Sequence, residues 1–139
     1  MMTAQQTLIV KSSWLKFRNI DPEIFGDLFY SKLFFDHSKL RKVFPPNMQQ
    51  ENKNLTARIN SIISEIDDFH NSEDVILNVV MQYKIDRIKP VYYKMFGNAL
   101  LWTLEKALGA DWKPETKNAW AAFTDSFIQT LLSAVKKPA

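Results

Sequence analysis

Hydrophobic positions along the chain recur every three or four residues, which is the spacing of one face of an α-helix. No segment shows the convincing alternation of polar and apolar positions that a β-strand would require. Three stripes are the clearest. The first lies between Met48 and Phe69 and consists of Leu55, Ile59, Ile62, Ile63, Ile66 and Phe69. The second follows Pro90, with Tyr93, Phe96, Leu100, Leu104 and Leu108, and the third follows Pro114, with Trp120, Phe123, Phe127 and Leu131. The pattern predicts an all-α fold of about six to eight helices with short connections.

Prolines, glycines and capping side chains mark where these helices begin and end. A proline fits the first helical position, and a side-chain oxygen just before it can bond the exposed N–H groups of the first turn. Helices are predicted to begin at Pro22 (capped by Asp21), after Ser72, at Pro90 and at Pro114. The helix from Pro22 is predicted to end at about Phe35, and the one from Pro90 at Gly109. Asp36 is predicted to cap a short turn through Leu40 to Phe44, which Pro45-Pro46 ends.

Composition narrows the class of protein. The 139 residues are predicted to form one domain over 1–139. The 18 basic and 15 acidic residues are scattered and leave a net charge of only +3, which argues against nucleic-acid binding. The chain has no cysteine and no apolar run of the roughly 18 residues that a membrane span needs. We expect a cytoplasmic protein that binds neither nucleic acid nor membrane.

Four segments in order, IVKSSW, PEIFGDLFYSKLF, LRKVFPPNM and KPVYYKMFGNALLWTLEKALGADWKPETKNAWAAF, carry a family resemblance over nearly the whole chain. Together they resemble the globin family, in particular bacterial single-domain globins and neuroglobin-like chains. The resemblance implies a 3-on-3 helical sandwich around a haem b pocket. Trp14 matches the tryptophan of the first helix, and the resemblance implies that Gly26 lies where two helices cross closely. We expect Trp14, Phe96, Trp120 and Phe123 in the core.

The resemblance also implies a distal wall, the side of a haem on which an added ligand binds. Tyr30 matches a distal tyrosine that hydrogen-bonds such a ligand, and Phe44 matches the ring that packs on the porphyrin. Leu55 matches an apolar distal residue. Glu51 stands where the family usually has histidine or glutamine. The ligand implied there is a diatomic molecule or water on the iron.

The chain departs from the family at the iron ligand. Tyr83 stands at the position of the proximal histidine, and the two histidines, His37 and His70, lie away from the proximal face. The other residues that the resemblance places at the cofactor are Val80, Arg87, Ile88, Tyr93 and Phe96.

Tyr83 has two interpretations. It continues the inward stripe of Ile76, Val79 and Val80, so it can be a core tyrosine that fills space. Alternatively, it is a phenolate ligand to iron, as tyrosine is in catalase. A phenolate favours ferric iron and needs a lowered pKa, which the iron and a nearby cation such as Arg87 could supply.

Glu51 and Tyr30 also keep two interpretations each. Glu51 is either a solvated acid in the first turn of a helix or a distal carboxylate that bonds an iron-bound water or a tyrosine hydroxyl. Tyr30 is either a tyrosine packed at the edge of the core or the distal hydrogen-bond donor. A buried carboxylate without a partner would be costly, so Glu51 needs one in the second case.

Two functions follow from these alternatives. In the first, the chain binds ferric haem through Tyr83, which is the predicted metal ligand, and serves in sensing or redox work rather than reversible oxygen carriage. In the second, a heme-free globin fold acts as a sensor or interaction module, its pocket filled by side chains or by an apolar, fatty-acid-like molecule. No paired-carboxylate, histidine–metal or nucleophile pattern favours an enzyme. A homodimer is left open.

Overall fold

The computed structural model describes residues 2–64 and 89–136. Five α-helices lie in these two ranges: α1 (Ala4–Leu15), α2 (Pro22–Asp36), α3 (Gln49–Ser64), α4 (Tyr93–Leu108) and α5 (Pro114–Lys136). Short 3-10 helices span Lys16–Asn19, Ser38–Val43, Pro90–Tyr92 and Gly109–Asp111. No strand occurs in either range, and the all-α prediction is confirmed.

The helix boundaries follow the capping chemistry of the sequence. The Asp21 side chain accepts a hydrogen bond from the backbone N–H of Glu23, and Pro22 occupies the first turn of α2. Gly109 ends α4 at a positive φ of 55°, a conformation that glycine adopts without a steric penalty. Pro90 begins a 3-10 turn that leads into α4, so α4 itself begins at Tyr93, three residues later than predicted. The predicted helix start after Ser72 lies outside the described residues.

The prediction that Asp36 caps the following turn is wrong. Asp36 is the last residue of α2, and the turn Ser38–Val43 begins after His37 with no side-chain cap. The Asp36 carboxylate instead lies 3.1 Å from the ammonium of Lys32, one helical turn earlier. Residues four apart on a helix share a face, so the carboxylate meets this cation before it can reach the turn.

Helices α2 and α3 approach each other closely at Gly26. A Cβ built on Gly26 would lie 2.1 Å from the backbone oxygen of Asn52. Only a residue without a side chain fits there, so the prediction of a close helix crossing at Gly26 is confirmed. The contact sets the distance between the residues that follow on each helix, Tyr30 on α2 and Leu55 on α3.

The two larger buried clusters of the described residues both include side chains of α2. One joins α1 to α5 through Trp14, Trp120 and Phe123, and the Trp120 indole N–H donates to the Ser13 hydroxyl at 2.8 Å. The other gathers aromatic and aliphatic side chains of α2 with part of α4. The predicted core positions of Trp14, Trp120 and Phe123 are confirmed, while Phe96 is half-buried because it borders a cavity between the clusters.

Replacing Gly26 with alanine is expected to destabilise the protein by about 3 kcal/mol, because the new methyl group meets the rigid backbone of α3. Gly97→Ala is the matched control. Its Cβ meets only side-chain ends, Thr124 Cγ2 at 2.7 Å and Ile128 Cδ1 at 3.0 Å, so we expect a loss of about 1 kcal/mol. Urea unfolding of the two variants measures the difference. Equal losses would contradict the constraint assigned to the α2–α3 crossing.

Candidate functional site

A largely apolar cavity of about 140 Å³ lies where α2, α3, α4 and α5 meet. It borders the two larger buried clusters, since Phe29 and Tyr30 belong to one and Ile59, Ile62 and Phe123 to the other. Tyr93 and Leu131, which form a third cluster, also line it. Four described side chains with polar groups interrupt its apolar lining: Tyr30, Arg58, Tyr93 and Thr124. The cavity is therefore a continuation of the core with a few polar groups.

Tyr30 is held in the cavity wall by rings on three sides. Phe29 and Phe44 meet it nearly edge-on at centroid distances of 4.8 and 5.3 Å, and Phe34 stacks on it at 5.9 Å. Only 4% of Tyr30 is exposed. Aromatic contacts of these geometries are favourable beyond the area they bury, so the direction of the phenol is fixed by packing.

The corner between α2 and α3 brings Phe44 to the cavity. The Arg41 guanidinium donates hydrogen bonds to the backbone oxygens of Phe44, Pro45 and Pro46 at 3.3, 2.8 and 2.8 Å. Pro45 and Pro46 have no backbone N–H, so they cannot donate hydrogen bonds that would fix this segment. The Arg41 side chain fixes it instead by donating to its backbone oxygens. Arg41 thus fixes the corner that places the Phe44 ring beside Tyr30 and Phe96.

Helix α3 contributes an apolar stripe and a charged pair. Leu55, Ile59 and Ile62 face the cavity, and so does Arg58. Nη2 of Arg58 lies 3.5 Å from Oε2 of Glu51, two turns earlier on the same helix, and the two side chains are 19% and 24% exposed. A guanidinium at an apolar cavity requires such a counter-charge because its desolvation is expensive.

The same charges act on Tyr30. Burial raises the pKa of the Tyr30 hydroxyl to about 12, with the Arg58 charge opposing the rise, the Glu51 charge adding to it, and a hydrogen bond from Arg58 opposing it again. At neutral pH the phenol is therefore protonated. It can accept from Arg58 while its own O–H donates elsewhere.

The structure brings together most of the predicted site residues that it describes. Tyr30, Phe44, Leu55, Tyr93 and Phe96 all line the cavity. Tyr30 is packed in the core and also faces the cavity, and its role as a distal hydrogen-bond donor stays a prediction. Their contact with a cofactor remains a prediction.

Glu51 fits neither of its two interpretations fully. It lies in the first turn of α3, as the solvated alternative requires, but it is mostly buried and paired with Arg58. It is not among the residues that line the cavity.

Val80, Tyr83, Arg87 and Ile88 lie outside the described residues, as does His70. His37 lies at the end of α2 and does not line the cavity.

Arg58 is the functional candidate that the sequence reasoning missed. Its position three residues after Leu55 and seven after Glu51 places it on the inward face of α3. The spacing is visible in the sequence, but a charged residue on an apolar stripe is usually assigned to the solvated side of a helix.

Neither a metal-binding cluster nor a membrane span is found in the described ranges. Between residues 2 and 64 and between 89 and 136, no three histidine, aspartate or glutamate side chains are grouped to hold a metal ion. No helix in those ranges is long and apolar enough to cross a membrane.

Comparison with known proteins gives a family and several relatives. Residues 27–131 match the globin family. A flavohemoprotein of Bacillus subtilis (strain 168) is 29% identical over 107 residues, 72% of this chain and 27% of that protein. A neuroglobin of Tetraodon nigroviridis is 32% identical over 62 residues, 45% of this chain and 39% of that protein. Hemoglobin subunit zeta of Homo sapiens is 25% identical over 140 residues, 96% of this chain and 95% of that protein. The chain spans less than a third of the flavohemoprotein lengths.

The raised pKa of Tyr30 predicts a loss of stability at alkaline pH. The folded chain holds this proton more tightly than the unfolded chain, whose tyrosine pKa is near 10. The free energy of unfolding is therefore unaffected by this proton below pH 10. It falls by on the order of 2 to 3 kcal/mol as the pH rises from there through about 12. Urea unfolding across this range should show a steeper fall in the free energy of unfolding for the parent than for Tyr30→Phe. Parallel curves for the two proteins would refute a buried, protonated Tyr30.

Proposed function

The chain belongs to the globin family, and we propose that it binds haem in the cavity between α2, α3, α4 and α5, with Tyr83 as the proximal ligand. The membership confirms the resemblance and the all-α globin fold expected from the sequence. The proposal goes further, to the cofactor and its unusual ligand, and rests on the residues below.

One observation carries the proposal. Tyr30, Phe44 and Leu55 come from α2, from the corner and from α3, and all three border the same cavity. The family resemblance assigns these three residues to one distal wall. A cavity that had been rebuilt for another purpose would have no reason to keep a phenol and a phenyl ring 5.3 Å apart beside this leucine.

The size of the space fits a cofactor only in part. The cavity volume of about 140 Å³ is smaller than the roughly 300 to 1,000 Å³ typical of cofactor pockets. The cavity is partly open to solvent. Apolar, ring-bearing walls suit a flat aromatic group. The described lining would therefore hold only part of a haem.

The proposed iron ligand lies outside the described residues, so Tyr83 is argued from chemistry and position. The family resemblance assigns it to the proximal position, and the sequence pattern predicts that it lies on an inward stripe. Haem would supply an iron centre, and tyrosine is an established axial ligand to such iron. A phenolate is a hard anionic donor that stabilises the ferric state. We therefore propose ferric binding for sensing or redox work over reversible oxygen carriage.

On the distal side, the chain's own residues hold protons and charge. The Tyr30 hydroxyl is protonated at neutral pH and lines the cavity, as Arg58 does, so it could donate a hydrogen bond to a molecule bound there. Glu51 balances that cation from outside the cavity lining. Water, a diatomic molecule or an anion on the distal side would meet a hydrogen-bond donor and a positive charge.

The small cavity volume favours a second candidate function. A heme-free module that senses or binds a small molecule would need no more than this cavity, because an apolar cavity of about 150 Å³ is enough to take benzene. In that case Tyr83 fills space in the core and no metal is held.

Tyr83→His separates the two functions. The variant restores the family's ligand while the distal wall stays intact, so it should bind hemin more tightly than the parent. On reduction it should give a stable ferrous protein that binds carbon monoxide. Absorption spectra during a hemin titration measure both effects.

Tyr83→Phe is the control, since it keeps the ring and removes the ligand. The parent with hemin should show a phenolate-to-iron charge-transfer band that is missing in Tyr83→Phe. If the histidine variant stays folded by circular dichroism and still takes up no hemin, the haem proposal fails and the heme-free module stands. A band that survives in Tyr83→Phe would show that another residue holds the iron.

A further inference from the structure

Two polar atoms of α3, close to its crossing with α2, are buried and have no hydrogen-bond partner among the described residues. They are the side-chain oxygens Oδ1 of Asn52 and Oγ1 of Thr56. Asn52 as a whole is only 7% exposed, and neither residue lines the cavity. Buried polar atoms in folded proteins are almost always paired with protein or with an ordered water, because an unpaired atom forfeits the hydrogen bonds that solvent would give it.

The two side chains are placed so that one small molecule can bond both. Residues four apart on a helix share a face, with Cβ atoms about 5 to 6 Å apart. A molecule of the size of water, bonded to each oxygen at about 2.8 Å, bridges a gap of up to about 5.6 Å. Asn52 and Thr56 therefore form a pair that a single water can satisfy.

The Thr56 hydroxyl differs from those of other threonines in the described helices. A helical threonine commonly donates to the backbone oxygen four residues earlier. Four threonines make this bond: Thr7, Thr103, Thr124 and Thr130. For Thr56 that oxygen belongs to Asn52, and a Cβ built on Gly26 would lie only 2.1 Å from it. The helix crossing crowds this oxygen, so the Thr56 hydroxyl is left to bond something else.

The chemistry of the two atoms selects an uncharged hydrogen-bond donor. An amide oxygen only accepts, whereas a hydroxyl both donates and accepts. Water can donate to Asn52 Oδ1 and can donate to or accept from Thr56 Oγ1. Neither side chain carries a charge, so an ion bound there would be buried without a counter-charge, which is costly.

We propose that one water molecule is bound between Asn52 Oδ1 and Thr56 Oγ1 as a fixed part of the crossing between α2 and α3. The missing side chain of Gly26 lets the two helices approach, and the water pairs the polar atoms of α3 that this approach leaves without a protein partner. The site lies outside the cavity lining, so it is separate from haem and from any molecule bound in the cavity.

Magnetic relaxation dispersion of the solvent tests the proposal on the full chain as purified, because it counts the waters that exchange slowly from the protein interior. The double variant Asn52→Leu/Thr56→Val nearly keeps the shapes of both side chains and should hold one slowly exchanging water fewer than the parent. Thr103→Val is the matched control. The Thr103 hydroxyl is buried but already donates to the Ala99 backbone oxygen at 2.8 Å, so its loss should leave the count unchanged. All proteins are compared at the same haem content.

A double-mutant cycle by urea unfolding measures the coupling through the water. Thr56→Val alone leaves the buried oxygen of Asn52 with a poorly held partner, so the equilibrium constant of unfolding should rise about ten-fold. Adding Asn52→Leu removes the atom that was left unpaired. Its effect on the unfolding constant should therefore be about ten-fold smaller in the Thr56→Val background than in the parent. The helix preferences of leucine and valine cancel, because they enter both arms of the cycle.

Equal water counts in the parent and the double variant would overturn the proposal. So would strictly additive effects in which each substitution lowers the unfolding constant, since that is the behaviour of two polar atoms buried without water. If the double variant does not fold, the comparison of Thr56→Val with Thr103→Val decides in its place. Hemin uptake is titrated separately, and a parent that refuses hemin while the double variant loses one water would keep this site and lose the haem assignment.

Discussion

The contact between Gly26 and the backbone of Asn52 is the constraint on which the site depends. With a built Cβ only 2.1 Å from a backbone oxygen, α2 and α3 can approach this closely only where the side chain is absent. One turn beyond the contact, α2 presents Tyr30 and α3 presents Leu55, so the same approach sets the spacing of the cavity's facing walls. Fold and site thus share one geometric requirement.

The cavity is lined by apolar side chains and by a few polar ones. Its rings and aliphatic side chains extend the core, and its polar groups interrupt it. The Arg58–Glu51 pair is a weak source of stability, because removing two charges from water offsets most of their attraction. Tyr30 is affected by the same burial, which holds its proton to a pKa of about 12. Groups of this kind inside a cavity are better explained by what they bind than by what they stabilise.

Much of the fold could be predicted from the sequence, because local chemistry and tertiary packing agree. Pro22 and Gly109 mark helix boundaries through backbone geometry alone, and the stripe on α3 faces the core as its spacing requires. Asp36 shows where local reasoning fails, since a lysine one turn earlier competes for the carboxylate. Arg58 shows a second failure, because helical periodicity cannot reveal that a charge on an apolar stripe has partners at the cavity. The site could therefore be predicted where residues act by shape and not where they act through charge.

The proposal that the space bounded by Tyr30, Phe44 and Leu55 is a haem pocket is tested most directly by a hemin titration of the parent beside Leu55→Trp. Leu55 lines the cavity and is only partly buried, so a larger ring there fills the space. Because Leu55→Trp adds a tryptophan, fluorescence cannot be compared between the parent and the variant. Hemin uptake is therefore followed by absorption, and folding is checked by circular dichroism. A haem pocket predicts saturation at one hemin per chain in the parent and none in the folded variant. Equal uptake by both proteins, or no uptake by the parent, would contradict it.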